Sequence, residues 1–407
     1  MKHTAFYPAD ILLPKDIDYK KWAVVACDQY TSEPEYWRVT DEIVGDAPST
    51  LNITLPEIYL EQEGVDAKIA KINENMQQML AKDLFACYKN ALIYVKRVQS
   101  DGKLREGLVG AVDLEEYDYK KGSKSQIRAT EATVAERIPP RLKIRENAPL
   151  ELPHIMILID DAEKTVIEPL AQKNLRQVYA TELMQNGGEI SGYLVDEASV
   201  MEIEKALAKL GETTEMLFAM GDGNHSLATA KEHYERLKKL HPETDFSNHP
   251  ARYALCEIVN LHSKALEFEA IHRIVTETDT EKLLSEMKEA LGLSSEPSEQ
   301  KIKVVLGDKE EVLFVHKPLS KLAVGSLQIF LDKYLAENKG KIDYIHGEDV
   351  IQSLASGENA VGFVLEPMQK SELFPAVIAD GALPRKTFSM GHAADKRYYL
   401  EAKKIVE

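Results

Sequence analysis

Met216-Leu217-Phe218-Ala219-Met220-Gly221-Asp222-Gly223-Asn224-His225-Ser226-Leu227-Ala228-Thr229-Ala230-Lys231 joins five apolar residues to a glycine-bracketed polar turn and then to helix-forming sequence. This order predicts a buried strand that ends at Gly221 and feeds a helix running through Leu227, Ala230, Tyr234 and Leu237. Gly221 and Gly223 permit a tight turn and close approach of a ligand to the backbone, with Asn224 or Ser226 as the expected helix cap. Unpaired amides at the positive end of a helix form a ready phosphate site. The same residues also serve as an ordinary capped connection with a solvated Asp222, and they match neither the Walker A pattern nor Gly-x-Gly-x-x-Gly.

A chain of 407 residues exceeds what one hydrophobic core usually organises, so two or three packed units are expected. With 44% apolar and 29% charged residues it reads as globular. Its net charge of -17 opposes broad attraction to nucleic acid or anionic membrane, though a local basic pocket can still take a small anion. The start, Met1 to Pro8, lacks a signal-like apolar core, and no apolar run reaches membrane-spanning length, so a cytoplasmic location is expected. Cys27, Cys87 and Cys256 share no paired spacing and read as buried thiols rather than a disulfide or zinc framework.

Trp22 to Tyr30 has a strand pattern ending in the polar pair Asp28-Gln29, where side chains gather around clefts or simply end the strand. Val65, Ile69, Ile72, Met76, Met79 and Leu80 mark an amphipathic helix, and Ser100-Asp101-Gly102-Lys103 a reversal between two strands. Arg128, Arg137, Arg141 and Arg145 interleave with Glu131 and Glu136, either as a solvated helix face or as an anion site in which Glu131 orients Arg128; Pro139-Pro140 is expected to end this element. His154 to Ile159 reads as a strand running into Asp160-Asp161, and Ala198 to Leu210 as a helix stopped by Gly211. Later segments alternate short strands and helices, giving a mixed α/β fold with flanking helices: a main unit over residues 1–275 and a smaller one over 276–407. Within the latter, Leu383 to Ser389 contains Arg385-Lys386 and reads as a loop able to return to the cleft over an anionic ligand, or as a surface tail.

Four stretches together carry a resemblance: Asp28-Gln29-Tyr30-Thr31, Gly221-Asp222-Gly223-Asn224-His225-Ser226, Ile342-Asp343-Tyr344-Ile345-His346-Gly347-Glu348-Asp349, and Leu383-Pro384-Arg385-Lys386-Thr387-Phe388-Ser389. They resemble the bacterial and archaeal family catalogued as domain of unknown function ten-fifteen. That family's central turn is similar to the phosphate-binding Gly-x-His-Arg turn of the ParB/sulfiredoxin-like superfamily, which includes free-serine kinases, a nucleotide-dependent sulfinate-repair enzyme and CTP-binding partition proteins. Ser226 stands where that turn has arginine, so a cationic phosphate clamp is missing at this position.

The resemblance implies a ParB/sulfiredoxin-like central unit and a nucleotide-dependent kinase acting on a small hydroxyl compound, free L-serine by analogy, with ATP or ADP and Mg²⁺. A phosphate-ester hydrolase, or a nucleotide- or amino-acid-binding regulator without turnover, uses the same parts. Phosphoryl transfer needs a phosphate cradle, a cation and a carboxylate near the acceptor hydroxyl. Gly221, Gly223, Asn224, His225 and Ser226 are the expected cradle, with His225 as a charge-assisted donor and Asp222 as base or metal ligand. Arg128, Arg385 and Lys386 are the expected neutralising cations; Asp28, Gln29 and Glu131 would face the substrate. Small molecules are the expected partners, and the sequence leaves room for a homodimer.

Overall fold

Phe218, Ala219 and Met220 are fully buried, and their run forms the strand Phe218–Asp222 of a ten-stranded sheet in the computed structural model, which describes residues 4–133 and 135–407. Residues 1–3, where the N-terminal reading begins, and residue 134, within the arginine-rich stretch, lie outside the described part. The strand order is Arg176–Glu182, Glu189–Leu194, Ile93–Val98, Leu104–Asp113, Tyr253–Asn260, Met156–Ile159, Phe218–Asp222, Ile127–Arg128 and Tyr117–Asp118, with Phe6–Tyr7 added to Leu104–Asp113. Met156–Ile159 runs parallel to Tyr253–Asn260 but antiparallel to Phe218–Asp222, so the sheet is mixed, as expected for an α/β protein. Along Leu104–Asp113, Leu108 and Val112 face one apolar core while Val109 and Ala111 face another, as two-residue periodicity requires.

The chain forms two compact units. The first comprises residues 1–129, 133–266 and 392–407. The second comprises residues 130–132 and 267–391 and holds an antiparallel sheet ordered Lys309–Val315, Gln300–Leu306, Val361–Val364, His272–Thr276 and Lys341–Ile345. The crossover to the second unit thus falls at Leu266/Glu267, a little before the boundary read at residue 275, and the last sixteen residues belong to the first unit. Among the described residues, no helix is long and apolar enough to cross a membrane.

Several local expectations change. The helix after the central strand spans Asn224–Leu240, and neither Asn224 nor Ser226 caps it. Gly223 takes the cap position in the left-handed region at φ 78°, with its N–H donated to Asp222 Oδ1 at 2.9 Å. Trp22 to Tyr30 is no continuous strand: a short helix, Tyr19–Trp22, precedes a two-residue strand, Val24–Val25, because the Trp22 indole is drawn into the core and donates to Leu400 O at 2.9 Å. Pro139-Pro140 opens the helix Ile138–Arg145 instead of ending one; in a first turn the missing N–H groups cost no helical bond. Gly211 stays inside the helix Glu197–Glu212. Cys256 is buried, but Cys87 is exposed, because strand Phe85–Ala91 has an exposed face.

The turn depends on glycine for two reasons. Its φ is positive, and a Cβ at Gly223 would stand 3.0 Å from Ile155 Cα. Gly223→Ala should therefore lower stability by roughly 1–2 kcal/mol, the usual cost of a left-handed Cβ, before any steric cost against Ile155 is added. Urea denaturation checks this, and an unchanged midpoint would mean that the turn relaxes without loss.

Candidate functional site

The pairing Met156↔Asp222 sets the start of one strand against the end of its antiparallel neighbour. His154, two residues before Met156, consequently faces the turn at the head of the helix Asn224–Leu240: its Nε2 is 3.0 Å from Ser226 Oγ and 3.7 Å from Asp28 Oδ2. Tyr399 Oη accepts the Cys27 N–H at 3.1 Å, so its own proton is available to His154 Nδ1 at 2.8 Å. That arrangement leaves the proton of a neutral His154 on Nε2, directed at Ser226 Oγ, and frees the Ser226 O–H to donate to a ligand.

The helix supplies its first intrahelical bond from Leu227 N–H to Gly223 O at 3.0 Å, so the amides of Asn224, His225 and Ser226 precede the ladder. Among the described residues, no hydrogen-bond partner reaches Asn224 Oδ1 or His225 Nε2, although both atoms are buried. Unpaired buried polar atoms are costly, and a bound ligand is one way of completing them. Burial, reinforced by the charges of Arg141 and Arg137, pushes the His225 imidazole down to about 4 despite the opposing pull of Asp28. His225 is therefore neutral near pH 7, and a hydrogen bond from it to a phosphate would take its charge assistance from the ionised acceptor alone.

Two carboxylates share one cation. Asp222 Oδ2 lies 3.3 Å from Lys396 Nζ, and burial, which works against ionisation of Asp28, is outweighed by His154, the Gln29 amide and Lys396, so its carboxyl is held below the usual carboxylate range. Lys396 is held from both sides. Ala394 O and Asp395 O accept from Arg97 and Arg105 at 2.8 Å each, and Asp395 Oδ1 accepts from Ser100. Arg397, fully buried, bonds Glu257 at 2.5 Å, Glu401 at 2.7 Å and Pro153 O at 2.9 Å.

Asp28, Gln29, Asp222, Asn224, His225 and Ser226 thus lie in one unit around one turn, with Gln29 engaged in donating to Asp28 Oδ1 at 3.0 Å. The structure does not bring Arg128 to that turn. Its guanidinium bonds Ser125 O and Glu215 O, and Glu215 precedes the end of the central strand opposite Asp222. Glu131, expected to orient it, belongs to the second unit, where burial raises its carboxyl against the Lys386 and Thr387 N–H groups it accepts from. Arg385 also belongs there and is paired with Tyr344 Oη at 2.6 Å and Asp332 at 3.4 Å. Asp161 accepts from Thr165 and Val166 N–H groups, and Asp160 faces His262 at 2.6 Å, so that pair orders a loop. Sequence reading missed His154, Tyr399 and Lys396; the only local signal was the unusual density of charged and aromatic residues in Asp395-Lys396-Arg397-Tyr398-Tyr399. Among the described residues, no group of three or more His, Cys, Asp or Glu side chains is arranged to hold a metal ion.

With this α/β fold and turn established, the sequence matches the family described as protein of unknown function (DUF1015) over residues 12–334, and the chain belongs to that family. No curated protein matches it. Among solved structures, it is similar to a free serine kinase in complex with AMP at 12% identity and a TM-score of 0.40, covering 72% of this chain and 91% of that one. A C-terminally truncated SbnI from Staphylococcus aureus gives 10% identity and 0.37, covering 70% and 82%. A conserved hypothetical protein from Pyrococcus furiosus gives 11% and 0.38, covering 72% and 94%.

The depressed His225 value has a stability consequence. An unfolded imidazole takes up its proton near 6.5, so stability from the neutral, buried ring is present above that pH and is lost as pH falls towards about 4. His233, likewise pushed to about 4 chiefly by burial, adds to the same slope. The melting temperature should fall between pH 7 and pH 5, and His225→Gln should make that fall shallower; an identical slope would place the ring in solvent.

Proposed function

We propose that this chain is a nucleotide-dependent phosphotransferase acting on a small hydroxyl compound. The observation that carries the reading is the convergence of the Asn224–Ser226 helix start with the carboxylates Asp28 and Asp222 and the cation Lys396. Helix N-terminal amides and the Ser226 hydroxyl suit phosphate oxygens, and His225 Nε2 lacks a partner that a phosphate would provide. Lys396 takes the neutralising role for which Arg128 was expected, and Ser226, oriented by His154, stands in for the absent arginine of the turn. Phosphoryl transfer asks chiefly for positioning and charge stabilisation, which this set provides.

Asp222, at the phosphate turn, would accept the hydroxyl proton or hold the metal, and Asp28 would face the incoming hydroxyl compound. Two hard carboxylates suit Mg²⁺ arriving with phosphate, which usually needs only one or two protein oxygens. The donor is ATP or ADP, and free L-serine is the acceptor suggested by family resemblance.

Asp222→Asn keeps the side chain's size and its acceptor oxygen for Gly223 N–H. It should cut turnover by about 10²-fold or more while leaving melting temperature nearly unchanged. Nucleotide consumption and thermal melting measured on the same preparation decide the matter, because an active but destabilised variant would reduce Asp222 to a turn-ordering residue.

A further inference from the structure

Beside the turn lies a cavity of about 150 Å³, lined in part by Ser226, Thr229, His154 and Tyr399. Sites that bury a drug-sized ligand measure about 300–1,000 Å³, so this space is suited to a compact molecule rather than a nucleotide. Much of the remaining lining is aliphatic, with Leu55, Leu60 and Met76 among its residues. The charged side chains that line it form two opposed pairs, Arg141 with Glu57 and Arg145 with Glu151.

These pairs differ in what else holds them. Glu151 accepts from Leu255 N–H at 2.8 Å and faces Lys403 at 3.6 Å as well as Arg145 at 2.7 Å, so it is locked into the fold. Glu57 has Arg141 as its ion-pair partner, Arg141 also donates to Arg137 O at 2.8 Å, and the Glu57 and Arg141 side chains are 20% and 15% exposed. The pair is sheltered enough for charge to matter and open enough to be parted. Its backbone links it to the proposed chemistry, since Glu57 N–H donates to Cys27 O at 2.8 Å, next to Asp28, and the Arg141 charge is felt at His225.

We infer that this cavity is the acceptor site and that it takes a small zwitterion bearing a hydroxyl, its carboxylate on Arg141 and its ammonium on Glu57. The inference rests on the phosphotransferase reading for the word acceptor, but the charge argument stands on the pair itself. A net anion of the same size pairs with Arg141 and strands Glu57, and a net cation does the reverse. Leaving one half of a sheltered pair unmatched is the expensive arrangement. A zwitterion replaces the pair by two new ones and leaves neither charge alone, while its side chain meets the aliphatic lining and Ser226 or His154.

Three nearly isosteric probes separate the alternatives: L-serine as zwitterion, L-glycerate as anion and serinol as cation. Titrated calorimetrically into the full chain without nucleotide, L-serine should bind at least tenfold more tightly than either. Glu57→Gln should shift the serine-to-glycerate preference at least tenfold towards glycerate with nucleotide affinity unchanged, and Arg141→Gln should shift the serine-to-serinol preference towards serinol. Glycerate binding as tightly as serine to the wild-type chain, no binding by any of the three, or unshifted ratios in both variants would overturn the assignment. Failure of the phosphotransferase reading looks different: the preference series holds, and nucleotide is not consumed.

Discussion

The contact on which the site depends is the close approach of Gly223 to Ile155. With φ at 78° and only 3.0 Å available for a Cβ, the chain can leave the central strand and enter the helix Asn224–Leu240 within one residue. Had a larger residue stood there, the helix would start later or farther from its neighbour, and His154 would lose Ser226. The turn therefore links backbone conformation to chemistry: it places helix amides at a strand end, where mixed sheets collect functional groups.

The second constraint is electrostatic. Residues 392–407 return to the first unit and bury Arg397 against Glu257 and Glu401, with Tyr179 donating to Glu401 at 2.5 Å. A buried ion cluster is a poor source of net stability, because desolvation consumes most of its Coulombic gain, yet losing one member would strand the others. Its value here is positional. Arg397 bonds the carbonyl that precedes His154, while the same short segment delivers Lys396 to Asp222 and Tyr399 to His154.

Much of the architecture was legible from local pattern. The apolar run and paired glycines gave the central strand and its helix, Asp101-Gly102 gave the hairpin, and three-and-four spacing gave the helix Val65–Ala81. Cap geometry was misread because Asn and Ser are good caps in isolation, whereas packing on Ile155 selected Gly223. The half of the site within Asp222 to Ser226 was legible because it is contiguous. Lys396 and Tyr399 were not, since what places them is a buried network between residues almost 300 apart in sequence, as in the contact of Arg97 with Ala394. Arg128 misled for the opposite reason, since an arginine-rich stretch signals anion binding only when its guanidinium groups are not already taken up by backbone carbonyls.

The central claim is that the amides of Asn224, His225 and Ser226 receive a phosphate. A crystal structure of the full chain with bound ADP tests it most directly. The account predicts a terminal phosphate within hydrogen-bond distance of those amides and of Ser226 Oγ, with Lys396 Nζ turned towards it. A nucleotide whose phosphates lie elsewhere, with the Gly223 turn empty, would contradict it.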